Sequence, residues 1–95
     1  MKRMDIAQER SARIARDEMI VLQLLHGAAP VSLERRYSME NESLKTAVRR
    51  TIKRLLPKVY AVNRGLSAAK LLDISRTPLI LHFCDRFPML QGRLD

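Results

Sequence analysis

The sequence predicts an all-α fold, a single small helical domain with a helix-turn-helix, and three observations support that prediction. Apolar residues recur every three or four positions in the segments 5–26 and 41–56. Glycine, proline and serine residues stand where such helices would begin or end. A turn residue, Ser38, precedes Leu44 by six positions, a spacing typical of a helix-turn-helix. The chain of 95 residues allows one domain, 1–95.

The first predicted helix covers residues 5–26. Its apolar stripe is formed by four residues, with Leu22 beside them: Ala7, Ile14, Val21 and Leu25. The charged residues of this segment mostly face elsewhere: Arg10, Arg13, Arg16 and Asp17. Gly27 is placed to end the helix, and a cationic His26 beside it would interact well with the helix dipole.

The predicted helix-turn-helix covers about residues 31–56. A short helix, 31–37, would begin with Ser32 as its N-cap, and residues 38–40 would form the turn. The third helix, 41–56, would be capped by Asn41 or Glu40. Leu33 and the apolar seam of the third helix would pack the two helices together: Leu44, Val48, Ile52 and Leu55. Glu34 departs from the pattern, because this position usually holds a small residue.

The C-terminal part of the chain predicts shorter helices and a packing segment at about 66–90. Pro57 should kink or end the third helix, with a helical turn over 58–63 closed by Gly65. Ser67 should cap a helix over 67–74. Thr77 should cap a last helix over 78–87, although 79–81 would also suit a buried strand. Pro88 should end that helix, and 89–95 read as a frayed tail.

The charge distribution points to an anionic partner. The net charge is +8, and the segment from Ser43 to Leu72 holds eight Lys or Arg and no Asp or Glu. In a helix-turn-helix the start of the third helix enters the major groove. The candidate DNA-binding residues are the polar side chains of this helix: Asn41, Glu42, Ser43, Lys45, Thr46, Arg49, Arg50 and Lys53. The first five would lie nearest the base edges, and the last three nearer phosphates or deeper along the groove. The same residues could instead form a solvated basic face or dock on an acidic protein.

The amino-acid composition excludes several classes of protein. Aromatic residues make up 4% of the chain, which argues against a single-strand binder that stacks bases on aromatic rings. Cys84 is the only cysteine, so neither an internal disulfide nor a CxxC zinc site is possible, and a cytoplasmic protein is expected. The polar N-terminus is unlike a signal peptide, and no apolar run approaches the roughly 18 residues of a membrane helix.

The sequence shows no recognised catalytic or metal-binding motif. No Ser/His/Asp set with a Gly-rich loop and no phosphate loop is present, so no enzyme activity and no cofactor are predicted. His82 and Cys84 would share one face of the alternative strand, but two potential ligands do not make a metal site. Packed side chains near an interface are the preferred interpretation of this pair.

Three stretches resemble the bacterial flagellar master activator family, which comprises FlhD and FlhC subunits and relatives on conjugative elements. The stretch ARD at 15–17, followed by GAAPVSLERRYSMENESL at 27–44, is similar to the first helix and helix-turn-helix region of that family. The stretch KLLDISRTPLILHF at 70–83 is similar to an FlhD-type segment that leads into an aliphatic run ending in His-Phe. Together these stretches hold 35 of the 95 residues of the chain. The chain's size suits an FlhD-type subunit, since FlhC-type subunits are about twice as long and carry a four-cysteine zinc site.

The resemblance implies an intertwined homodimer that assembles with a larger zinc-containing activator subunit on double-stranded DNA and activates transcription through RNA polymerase. It also implies an inter-subunit disulfide near the aliphatic run, although Cys84 follows His82 here instead of preceding it. FlhD-type subunits are less basic across their third helix than this chain. Three alternatives stay open: a protein-interaction adaptor, an accessory protein of conjugation or plasmid maintenance that binds an origin, and an RNA-binding protein.

Overall fold

Residues 6–86, the part of the chain that the computed structural model describes, form six α-helices and contain no strand. The helices are, in order: α1 (Ile6–Leu25), α2 (Pro30–Tyr37), α3 (Asn41–Leu55), α4 (Pro57–Asn63), α5 (Ala68–Ile74) and α6 (Arg76–Arg86). The prediction of an all-α fold is therefore confirmed. The predictions for Asp5, for Phe87 and Pro88, and for the tail 89–95 lie outside the described residues.

Helix α1 ends at a glycine, as its sequence predicts. Gly27 has φ +98°, and its N–H donates to the carbonyl of Leu24. The N–H of Ala28 donates to the carbonyl of Gln23. This pair of bonds satisfies carbonyls that the end of the helix would otherwise leave unpaired, and the positive φ is the reason a glycine stands there.

The start of α2 differs from the prediction. Ser32 is not its N-cap; the helix begins at Pro30, with Ala29 as the N-cap residue in an extended conformation. Proline has no N–H and a fixed φ, so it is well suited to the first helical position, where no intrahelical bond is required of it. Pro30 therefore begins the helix that follows α1.

The turn between α2 and α3 is closed by Ser38, which adopts the left-handed conformation with φ 51° and ψ 49°. The N–H of Met39 donates to the carbonyl of Glu34 at 2.9 Å and completes the turn. Glu40 is the N-cap residue of α3, but its side chain forms no capping hydrogen bond.

The conformation of Ser38 gives a direct prediction. Glycine avoids the steric cost of a side chain at positive φ, so Ser38→Gly should stabilise the fold by about 0.5–1 kcal/mol. The matched control is Ser43→Gly in the first turn of α3, where the helical backbone makes glycine destabilising by a similar amount. Urea denaturation measures both changes, and a destabilised Ser38→Gly variant would contradict the assigned turn.

Pro57 ends α3, one of the two outcomes that the sequence allowed. The chain turns at Leu56, with φ −131° and ψ 64°, and Pro57 then occupies the start of α4. Ser67 caps α5 as predicted, since its hydroxyl accepts the N–H of Lys70 at 3.3 Å.

Helix α6 begins at Arg76, so the prediction that Thr77 caps it is wrong. Ser75 precedes the helix, and its carbonyl accepts the N–H of Leu79 at 2.9 Å. Thr77 and Pro78 therefore lie within the first turn, where a proline leaves no intrahelical hydrogen bond unmade. Residues 79–81 are helical, so the alternative of a buried strand is also wrong.

Two groups of buried apolar side chains hold the helices together. The larger group joins α1, α3, α5 and α6 and includes Val21, Ile52, Leu71, Leu79 and Phe83, all fully buried. A smaller group joins α1, α2 and α3; its members are Ile20, Leu33, Leu44 and Ala47. Because α3 contributes to both groups, its apolar side is covered along most of the helix.

Cys84 lies at the edge of the larger core and is 8% exposed.

No helix among the described residues is long and apolar enough to cross a membrane.

Candidate nucleic-acid interface

Helices α2 and α3 pack together as the spacing of their apolar residues predicts. Leu33 of α2 and Leu44 of α3 are both nearly completely buried, and both contact the smaller core beside Ile20 of α1. Glu34, the residue that departs from the usual pattern, is half-buried and accepts a long 3.5 Å hydrogen bond from the side-chain amide of Asn41. The carboxylate therefore joins the two helices across the turn instead of disrupting them.

The first half of α3 presents an exposed polar surface. The five side chains expected nearest the base edges are all exposed: Asn41, Glu42, Ser43, Lys45 and Thr46. The hydroxyl of Thr46 donates to the carbonyl of Glu42 at 2.9 Å, and Lys45 forms a solvated ion pair with the Glu42 carboxylate at 3.3 Å. Such an exposed pair contributes little to stability, so both side chains remain available to a partner.

The arginines of α3 have contacts within the fold. Arg49 is half-buried, and its guanidinium donates to the backbone carbonyls of Arg64, at 3.4 Å, and Leu66, at 2.7 Å. These carbonyls lie in the connection between α4 and α5. Arg49 therefore holds this connection against α3, and part of its donor capacity is already used.

Two buried carboxylates of α1 bind the remaining arginines of α3. Asp17, 4% exposed, accepts Arg50 at 3.1 Å and Arg16 at 3.1 Å. Glu18, 6% exposed, pairs with Arg54 through one oxygen and with Arg86 of α6 at 2.6 Å through the other. Each buried carboxylate thus has two cationic partners, which offset the cost of removing it from water.

The lysines of α3 are less constrained. Lys53 is exposed and lies 5.9 Å from the centroid of the Tyr60 ring, a cation–π contact that leaves its ammonium in water. Lys45 forms a solvated contact with Glu42. Of the four predicted cationic contacts, Lys45 and Lys53 are therefore the most accessible, whereas Arg49 and Arg50 also maintain the fold.

A polar groove lies between α1 and the start of α3. It encloses about 500 Å³, and its lining includes three arginines (Arg13, Arg16 and Arg50), two carboxylates (Glu40 and Glu42) and the hydroxyl side chains of Ser38, Ser43 and Thr46. A second groove of about 420 Å³ adjoins it, because Arg13 and Arg50 line both. The cationic residues that line the second groove are Arg10, Arg13, Arg50, Lys53 and Arg54.

The arginines of α1 were not among the residues predicted to bind DNA. Arg10, Arg13 and Arg16 recur at a spacing of three residues, so they share one side of a helix. The sequence showed that they face away from the apolar stripe of α1. It did not show that this side of α1 would lie beside α3.

No metal centre is indicated in the part of the chain that the structure describes. Within residues 6–86, no three His, Cys, Asp or Glu side chains come close enough to hold a metal ion. His82 lies edge-on to the ring of Phe83, with centroids 5.6 Å apart, and Cys84 is buried in the larger core. This agrees with the interpretation of both residues as packed side chains.

The fold and the site together define a small all-α protein with an exposed helix pair beside a cationic groove. Comparison with known protein families, with curated proteins and with solved structures finds nothing that matches this chain.

Proposed function

We propose that this protein is a DNA-binding transcriptional regulator of the helix-turn-helix type that binds duplex DNA through α3. The observation that carries the proposal is the first half of α3, whose apolar side is buried while its five polar side chains are exposed. Two adjoining grooves lie beside it, and the second is lined by five cationic side chains and one carboxylate. An exposed helix start with phosphate-binding groups beside it matches what docking in a major groove requires.

The proposed roles follow from position. Asn41, Glu42, Ser43 and Thr46 lie on the exposed first turns and would face base edges. Asn hydrogen-bonds adenine, Glu accepts from cytosine, and Ser or Thr can contact either type of group. Lys45 would lie near the base edges or the adjacent phosphates, and Lys53 would bind phosphates.

Arg50 would reach a phosphate while keeping Asp17 as a partner, because a guanidinium has five N–H donors and Asp17 occupies only part of them. Arg49 would act chiefly by positioning, since it holds the connection between α4 and α5.

The test is the salt dependence of duplex binding. Each phosphate that a cation neutralises contributes a slope of about 0.9 in the plot of log affinity against log salt concentration. Replacing both Lys45 and Lys53 with alanine should therefore reduce the slope by about one to two units and weaken binding to every sequence. Fluorescence anisotropy with a labelled duplex of mixed sequence, titrated at several salt concentrations, measures this change.

The matched control is Lys58→Ala/Lys70→Ala, which removes the same charge from exposed positions on α4 and α5. Neither residue lines the grooves between α1 and α3, so this control should change the slope little. Equal slopes for the two double variants would exclude a specific contact by α3.

A second candidate is a protein-interaction adaptor whose basic helix docks on an acidic protein, and the partners of the α3 arginines favour it. Arg50 and Arg54 already bind carboxylates within the chain, which shows that this face can accept acidic groups. An adaptor would bind the labelled duplex only through its net positive charge, so Lys45→Ala/Lys53→Ala and Lys58→Ala/Lys70→Ala would weaken that binding equally. Competition of duplex DNA against duplex RNA in the same assay would separate both candidates from an RNA-binding protein.

The proposal extends to partners only as the sequence resemblance implies them. An activator of the flagellar type would be a homodimer bound to a larger zinc-containing activator subunit and to RNA polymerase, in the cytoplasm. Several large apolar side chains are exposed and could contact a second chain; the most exposed are Val62, Ile6, Leu81 and Val31. A role in conjugation or plasmid maintenance would use the same DNA-binding surface at an origin instead of a promoter.

A further inference from the structure

The grooves between α1 and α3 carry more positive charge than the fold itself uses. Five cationic side chains line the second groove, and Asp17 is the single carboxylate among its lining residues. Asp17 pairs with Arg50, and Arg54 pairs with the neighbouring Glu18. Among residues 6–86, Arg10, Arg13 and Lys53 form no ion pair with a carboxylate.

We propose that Arg10 and Arg13 of α1, together with Lys53 of α3, bind the phosphates of the DNA strand that leaves the start of α3. The inference rests on the proposed function and extends the DNA-binding surface from α3 to α1. Arg10 and Arg13 are exposed, so their guanidinium groups can reach a ligand without any rearrangement of the core.

The grooves provide a continuous path for the backbone. The first groove begins at Ser43 and Thr46, two of the proposed base-reading residues, and includes Arg13 as well as the carboxylates Glu40 and Glu42. The second continues from Arg13 to Arg10 and Lys53. From Thr46 to Lys53 the helix rises about 10 Å, which corresponds to about three nucleotides of one strand along the duplex axis. A short run of phosphates therefore matches the length of the path.

The chemistry favours phosphate over a carboxylate ligand at this position. Arginine presents a planar set of N–H donors that matches a phosphate, and two arginines one helical turn apart can bind adjacent phosphates. Asp17 and Glu18 are buried below the cations, where they hold Arg50 and Arg54 in place. Arg10, Arg13 and Lys53 are exposed, so a diffusing polyanion can reach them directly.

The experiment compares Arg10→Ala/Arg13→Ala with the wild type on a labelled duplex of about two helical turns. Losing two phosphate contacts should reduce the salt slope by about one to two units and weaken binding about tenfold near 0.1 M salt. Both side chains are exposed, so circular dichroism should show unchanged helix content. Arg10→Lys/Arg13→Lys keeps the charge and should retain most of the slope.

The outcomes separate this inference from the function on which it rests. If Lys45→Ala/Lys53→Ala weakens binding but Arg10→Ala/Arg13→Ala behaves like Lys58→Ala/Lys70→Ala, the α1 contact is excluded and the α3 contact stands. If Lys45→Ala/Lys53→Ala and Arg10→Ala/Arg13→Ala both show a smaller salt slope than that control, the extended surface is supported. A wild-type protein that does not bind the duplex overturns both proposals.

Discussion

Replacing both Arg54 and Arg86 with alanine is expected to lower the free energy of unfolding by about 2–3 kcal/mol. Both guanidinium groups bind the buried carboxylate of Glu18, one from α3 and the other from α6. Without them, Glu18 keeps a charge that is removed from water and loses its ion pairs with Arg54 and Arg86. Breaking a buried pair in this way costs about 3–5 kcal/mol, and the partial exposure of the arginines reduces that figure.

The role of the buried charge can be tested by a second substitution, through the sign of the change that it causes in the free energy of unfolding. In the wild type, Glu18→Gln should destabilise the protein, because it weakens two charge-assisted hydrogen bonds. In the Arg54→Ala/Arg86→Ala background the same substitution should stabilise it, since glutamine carries no charge to bury. Urea denaturation of the four proteins measures both effects. A destabilising Glu18→Gln in both backgrounds would mean that burial of the carboxylate is not what makes the arginines necessary.

The second large effect is expected at Phe83. Its ring is fully buried in the larger core, where α6 packs against α1, so Phe83→Ala should cost about 3–5 kcal/mol. In a domain of this size that amounts to a fall in Tm of at least about 12 °C, and it removes much of the total stability. Thermal unfolding followed by circular dichroism measures the change.

Leu81→Ala is the matched control, because Leu81 lies on the same helix but is 65% exposed. It should change the stability by less than about 0.5 kcal/mol. A comparable loss of stability for the two variants in the isolated chain would indicate that α6 is packed differently, with its other face toward a core or toward a second subunit.

The expected effect of removing Arg54 bears on how the basic residues of α3 should be interpreted. Arg54 stabilises the fold through Glu18, and Arg49 does so through two backbone carbonyls. An alanine scan of α3 that follows DNA binding alone would confuse loss of folding with loss of phosphate contacts. Lys45 and Lys53 avoid this problem, which is why they carry the test of the proposed function.

Much of the helical architecture could be predicted from local sequence. The C-terminal end of α1 and the start of α5 followed from Gly27 and Ser67, because helix ends need specific groups to satisfy their unpaired backbone atoms. The starts of α2 and α6 were predicted wrongly at Ser32 and Thr77. In each case a cap-forming residue lay close to a proline, and the sequence could not determine which of several adjacent positions would begin the helix.

The sequence by itself determined the helical class, the burial of Leu33, Leu44 and Val48, and the exposed polar start of α3, because the helical period places residues on one side or the other of each helix. The packing of α1 against α3 was decided only in the tertiary structure. That packing brings Asp17 to Arg50 across 33 positions of sequence and Glu18 to Arg86 across 68. Periodicity within one helix carries no information about which side of another helix it will meet, so neither the buried carboxylates nor the cationic groove could be read from the chain alone.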